Sequence, residues 1–233
     1  MRNCGLNIHD NVCSENSCLF THIQQTPKGA KTFYELLNAN DNLPKHCSKW
    51  EEKLGLMIDW KMVHESTLRN HEIKIRWFQI RITTRIICTN IMLKYMNLKN
   101  DDLCTFCNEE TETIEHIFAE CLFTLQFWNQ IKSLLLHHDI VQDNFSMSPS
   151  LILFCVPQNG QKKISKALFT FCQYAKYFVY ESRCEENIPI FRSFKKYFKK
   201  SFETQRYIAM KKNNLERFES DWEKWKDLLE ELL

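Results

Sequence analysis

Apolar residues recur at three- and four-residue intervals along most of this chain, the period of helices with one buried face. Lys163 to Arg183 is the clearest stretch, with Ile164, Leu168, Phe171, Cys172, Ala175, Phe178 and Val179 on one side. Leu122 to Leu136 repeats in the same way through Leu125, Trp128, Ile131, Leu134 and Leu135. A further helix is predicted after Pro44, through Trp50 and Leu54 to about Leu56, and Asp59-Trp60 opens a short one. Phe33, Leu36 and Leu37 predict another over 30–38, closed by the breaker run Asn38 to Asn42. From Leu68 to Met96 the pattern predicts one long helix, apolar on two sides and therefore sandwiched in a bundle. Ile75, Ile82, Ile86 and Leu93 form one strip of it, and Ile80, Ile87 and Ile91 the other. On a helical wheel Lys74, Arg81 and Arg85 fall within about 40° of one another, flanked by Trp77 and Phe78. Alternation at Ile73, Ile75 and Trp77 leaves a strand over 74–82 as the alternative. Leu151 to Val156 fits a short strand or a buried helical turn.

Composition supports helices. Four glycines and five prolines in 233 residues are too few for the turns of an all-β or Rossmann-like fold. The fold class predicted is mainly α, an irregular helical bundle. The N-terminus has no apolar run of signal-peptide length, and no run of about eighteen apolar residues exists to cross a membrane. Eleven cysteines without a secretory signal suggest a reducing compartment, nucleus or cytoplasm, and thiols used for something other than a disulfide framework.

Net charge is only +2, but it is unevenly spread. Between residues 190 and 212 eight cations, among them Lys195, Lys196, Lys199 and Lys200, face one acid, Glu203. Phe191, Phe194, Tyr197, Phe198 and Phe202 interleave with them at helical spacing, which usually means core. Residues 214–233 reverse the sign, with seven acids against three cations, and read as an amphipathic helix lying back over the basic one.

One constellation carries chemistry. Cys104, Cys107, His116 and Cys121 are spaced C-x2-C-x8-H-x4-C. Two thiols two residues apart can chelate one ion from a single turn. An imidazole and a third thiol complete the donor set of a closed tetrahedral zinc site. His116 and Cys121 are five residues apart, about 140° on an unbroken helix, too divergent for one ion. The helix is therefore expected to end or tighten near Cys121, with a new one starting at Leu122. The knuckle is thus inserted between helices. It holds Glu109, Glu110, Glu112, Glu115 and Glu120 and no Lys or Arg, a sign that repels phosphate. Phe106 either packs beneath the turn or stacks on a base.

Residues 104–128, CTFCNEETETIEHIFAECLFTLQFW, resemble the zinc-binding region at the C-terminal end of LINE-type (non-LTR) retrotransposon reverse transcriptases. RWFQIRITTRI upstream resembles the helix that family places there; residues 49–60 and 198–222 resemble its flanks more loosely. The resemblance implies one structural zinc on Cys104, Cys107, His116 and Cys121. It does not extend to an enzyme. Asp101-Asp102 follows Lys99-Asn100 and lacks the aromatic hairpin of a polymerase metal box. The endonuclease portion is also missing, so the chain reads as the tail of such a polyprotein standing alone.

The organisation expected is a loosely ordered arm over 1–27 and short helices over 28–66. A knuckle module with flanking helices follows over 67–136, then a C-terminal helical region over 137–233. The function expected is a non-catalytic, zinc-stabilised module that binds RNA or DNA through Lys74, Arg81, Arg85, Lys195, Lys196, Lys199 and Lys200 rather than through the knuckle. A polymerase is a candidate protein partner. The alternative is a structural or protein-interaction domain, or a retrotransposon remnant, whose zinc only holds the fold.

Overall fold

The helix expected after Pro44 forms as α1 (Lys45–Leu54) and the next as α2 (Trp60–Arg69). A computed structural model of the chain describes residues 44–69, 72–156 and 164–232. The N-terminal arm and the helix predicted over 30–38 lie outside these residues. The single helix predicted over 68–96 is instead two, α3 (Ile73–Thr83) and α4 (Asn90–Tyr95), and the strand alternative is not formed. After the knuckle come α5 (Leu122–His137) and α6 (Pro149–Phe154), the helical outcome for that short apolar run. Then follow α7 (Lys166–Cys184) and the basic α8 (Phe191–Lys211). The acidic tail is broken rather than continuous: α9 (Leu215–Asp221), a 3-10 turn over Glu223–Trp225 and α10 (Lys226–Leu232).

The break between α3 and α4 falls at Arg85, whose φ is 60°. Arg85 N–H donates to the Ile82 carbonyl and Ile86 N–H to the Arg81 carbonyl, each at 2.9 Å. This double closure caps a helix end through a left-handed residue, a position glycine usually fills. The chain repeats it with Asn97, Asp139, Glu186 and Asn213 in the left-handed position. With so little glycine available, side-chain-bearing residues bear the strain. Glu186→Gly, at an exposed helix end, is expected to stabilise the chain by about 1 kcal/mol. A chemical denaturation midpoint that moves down instead would show that Glu186 makes up for its strain.

α7 sits between α3 on one side and α8 on the other, with α6 also against it. The described residues from Lys45 onward form one unit, and a continuous core runs from Cys47 and Trp50 to Leu228 and Leu229. Its centre is aromatic. Phe171 of α7 packs edge-on to Phe198 at 4.7 Å and to Phe194 at 5.4 Å, with Trp225 at 5.1 Å. The phenylalanines interleaved with lysines on α8 are therefore core: Phe194, Phe198 and Phe202 are buried. Lys176 is buried as well. Its ammonium donates to Gln79 Oε1 and to the Leu153 carbonyl, which also accepts from Gln79 Nε2 at 2.9 Å. Burial holds its pKa below the usual lysine value. This polar junction fixes α3, α6 and α7 around one carbonyl.

Candidate metal centre

The knuckle begins where α4 ends. Lys94 pairs with Asp102 at 3.0 Å, and an isolated antiparallel bridge joins Leu103 to Thr111. Cys104 N–H donates to the Glu110 carbonyl at 2.7 Å and Asn108 N–H to the Cys104 carbonyl at 2.9 Å, with Asn108 left-handed at φ 55°. The resulting tight loop points Cys104 and Cys107 the same way. Phe106 N–H also points at the Cys104 sulfur, 3.4 Å away, as donors to a metal-bound thiolate do. The Phe106 side chain is buried beneath the turn, which removes it as an exposed stacking platform.

The second pair of donors comes from an unusual helical turn. Thr113 Oγ1 accepts from His116 N–H at 3.0 Å and starts it. Residues His116–Glu120 form a π turn in which Cys121 N–H reaches back to the His116 carbonyl at 2.7 Å. The helix stops at Cys121, as the five-residue spacing requires, but the turn before it widens instead of tightening. Cys121 is extended (ψ 134°) and hands the chain to α5. Widening brings residues five apart towards one face, which an α-turn cannot do. Carbonyls released by the change are taken up from α5: Thr124 Oγ1 donates to Ile117 O and Trp128 Nε1 to Phe118 O, both at 2.9 Å.

The four predicted donors converge, with their ligand atoms all within 4.8 Å of one another. Cys104 Sγ lies 3.9 Å from Cys121 Sγ, and Cys107 Sγ lies 3.4 Å from His116 Nε2. A tetrahedral zinc with ordinary bond lengths needs edges of about 3.8 Å between sulfurs and about 3.6 Å between sulfur and nitrogen. Charge points the same way. The contact with Cys121 pushes the Cys104 thiol up, while the contact with Cys104 holds Cys121 down. Two thiols that close share a proton unless a cation neutralises both. Residues 30–128 match the family model described as zinc-binding in reverse transcriptase. The cofactor of this site is one zinc ion. When bound, it supplies cross-linking rather than reactivity, since three thiolates and an imidazole fill a tetrahedral shell. No curated protein matches the chain.

The acids of the knuckle do not all form a solvated face. Glu109, Glu110 and Glu120 are exposed, but Glu112 and Glu115 are buried. Glu112 Oε1 accepts from Arg183 Nη2 (2.7 Å), Arg183 Nε (3.1 Å) and Asn90 N–H (2.9 Å). Its Oε2 accepts from the Thr105 hydroxyl (2.6 Å), Thr105 N–H (2.9 Å) and Asn90 Nδ2 (3.2 Å). Burial opposes the charge on Glu112, but the Thr105 hydroxyl and amide and the Arg183 guanidinium outweigh it. The carboxyl is held below its ordinary range. This one carboxylate ties the metal loop to the start of α4 and the end of α7. Neither Asn90 nor Arg183 was marked by the sequence, because neither partner is near Glu112 along the chain.

The basic candidates fall into two groups. Arg85 pairs with buried Glu115 at 2.6 Å, and its guanidinium lies 4.1 Å from the centre of the Trp50 ring. It stands beyond the end of α3, so it does not continue the Lys74 and Arg81 stripe predicted for one helix. Arg81 lies over the Tyr180 ring at 5.3 Å, and Lys74 over Tyr177 at 5.1 Å with Glu72 3.7 Å away. On α8, Lys195 pairs with Glu231 at 2.8 Å, whereas Lys196 and Lys200 are exposed and Lys199 is half-buried.

Proposed function

We propose that this chain is a non-catalytic, zinc-stabilised helical module of LINE-type retrotransposon ancestry that binds RNA or DNA through basic helices. The knuckle serves as a clip. The observation that carries the reading is the separation of charge. The metal loop exposes three acids and no cation, while α8 turns its phenylalanines into the core and leaves Arg192, Lys196, Lys200 and Lys211 exposed. Cations held on a rigid, well-packed helix suit contact with phosphates, which dominate nucleic-acid affinity. Of the α3 candidates, Lys74 has half of its side chain exposed and can join such a surface. Arg81 is held over the Tyr180 ring and Arg85, beyond the helix end, by Glu115, so both are less free to meet a phosphate.

The test is a salt titration of binding to single- and double-stranded oligonucleotides. Replacing Arg192, Lys196 and Lys200 together by Ala is expected to weaken binding at least tenfold. It should also flatten the log–log salt dependence by about two to three. Affinity unaffected by salt and by the triple substitution would rule out this surface.

A second reading, a protein-interaction domain, draws on exposed apolar residues before and at the start of the knuckle. Tyr95 is 83% exposed and Leu98 73%, with Met96 and Leu103 also exposed. A polymerase is the partner this reading names. Binding of a reverse transcriptase that fails on Tyr95→Ser with Leu98→Ser, and survives the α8 triple substitution, would favour it.

A further inference from the structure

A second group of ligating side chains lies away from the knuckle. His137 ends the last turn of α5, His138 caps it, and Glu231 comes from α10. The donor atoms of these three residues lie within 4.8 Å of one another. His138 Nε2 is 2.8 Å from Glu231 Oε2, and Lys195 Nζ donates to the other carboxylate oxygen, Oε1, also at 2.8 Å. The two imidazoles are set at 80° with centroids 5.0 Å apart, so they approach from different directions rather than stack. Asn129, Gln130 and Ser133 of α5 line the hollow beside His137 and Glu231, leaving room for water.

We propose that His137, His138 and Glu231 form a second metal site, for a divalent transition ion of the zinc, nickel or cobalt kind. Imidazole nitrogen and carboxylate oxygen are the donors that such borderline ions accept, and alkaline-earth ions do not favour imidazole. The location suits a cation. The carbonyl end of a sixteen-residue helix carries partial negative charge, and both histidines stand on it. Lys195 does not compete for the ligating oxygen. It holds Oε1 and orients Oε2, the part an outer-sphere partner plays for a ligating carboxylate. Three protein donors leave coordination positions to water, so this site is weaker than the knuckle and exchanges its ion readily. An ion here clips α10, at the far end of the chain, to the helix that leaves the knuckle. No spacing along the chain marks this site, because adjacent histidines are common and Glu231 lies 93 residues away from His138.

The experiment uses the full chain with its knuckle already loaded with zinc, titrated with Co²⁺ and followed by visible absorption. One further equivalent is expected to bind and to give weak ligand-field bands without thiolate charge transfer, which sets it apart from exchange into the knuckle. His137→Ala with His138→Ala should weaken that equivalent at least tenfold, with knuckle zinc unchanged. Glu231→Gln, on the opposite element, should do the same. No second equivalent, thiolate charge transfer in the added band, or unchanged affinity in either variant would overturn the site.

Discussion

Cys121→Ser is expected to release the zinc and to lower the melting temperature by on the order of 10 °C or more. Structural zinc sites bind with about 10–16 kcal/mol in isolated peptides, as much as the about 5–15 kcal/mol that holds a whole domain together. Here the ion adds a cross-link to the apolar packing of Phe106, Ile114, Ile117 and Phe118. It joins a loop built on Cys104 and Cys107 to a π turn built on His116, and Cys121 sits where that turn hands over to α5. Without it, buried polar groups are left with neither solvent nor ligand, which is costly. Metal content by mass spectrometry and far-ultraviolet melting are to be measured on the same samples. Wild type should carry one zinc in the knuckle and the variant none. Cys184→Ser, at an exposed thiol, is the control and should match wild type. A variant free of zinc that melts like wild type would show that the fold does not depend on the ion.

Glu112→Ala should cost about 3–5 kcal/mol, the range for removing one partner of a buried ion pair. The penalty is large because Arg183 keeps its charge in a site that is only 14% exposed at the side chain. The Asn90 and Thr105 amides also lose their acceptor. Combining Glu112→Ala with Arg183→Met should cost less than Glu112→Ala alone, since no unpaired charge then remains. Acid gives a separate check. The folded-state pKa of Glu112 lies below its ordinary value of 4.5. Its stabilisation is therefore complete above that value and is lost as pH falls through the lower folded one. Zinc binding is itself weaker in acid, so the informative quantity is the difference between wild type and Glu112→Gln. That difference should shrink as the solution is acidified below about pH 4.5, and a constant gap would contradict the assignment.

Much of this was legible in the residues. Periodicity placed α1, α5, α7 and α8 because each buries one regular face, and Asp59-Trp60 marked only the start of α2. The metal donors were legible because ligand spacing is set by local turn geometry, and the five-residue gap to Cys121 even required the helix to stop. Two features were not. The end of α3 at Arg85 carries no glycine or proline, and its stabilisation comes from Glu115 and Trp50, which are distant in sequence. The roles of Glu112 and Glu115 were hidden for the same reason: a loop rich in glutamate looks solvated until Arg183 and Arg85 are seen to reach it. Long-range charge pairing has no period, so a pattern-based reading misses it.

The hold that Arg183 has on Glu112 bears on how portable the zinc segment is. The region shared with other sequences ends at Trp128, the residue whose indole donates to the Phe118 carbonyl of the π turn. A fragment cut at that boundary would keep all four ligands yet forfeit the guanidinium that accompanies the buried carboxylate, because it arrives from α7. The motif is thus recognisable on its own, but such a fragment is expected to be less stable than the same segment in the full chain, because Glu112 loses its Arg183 partner.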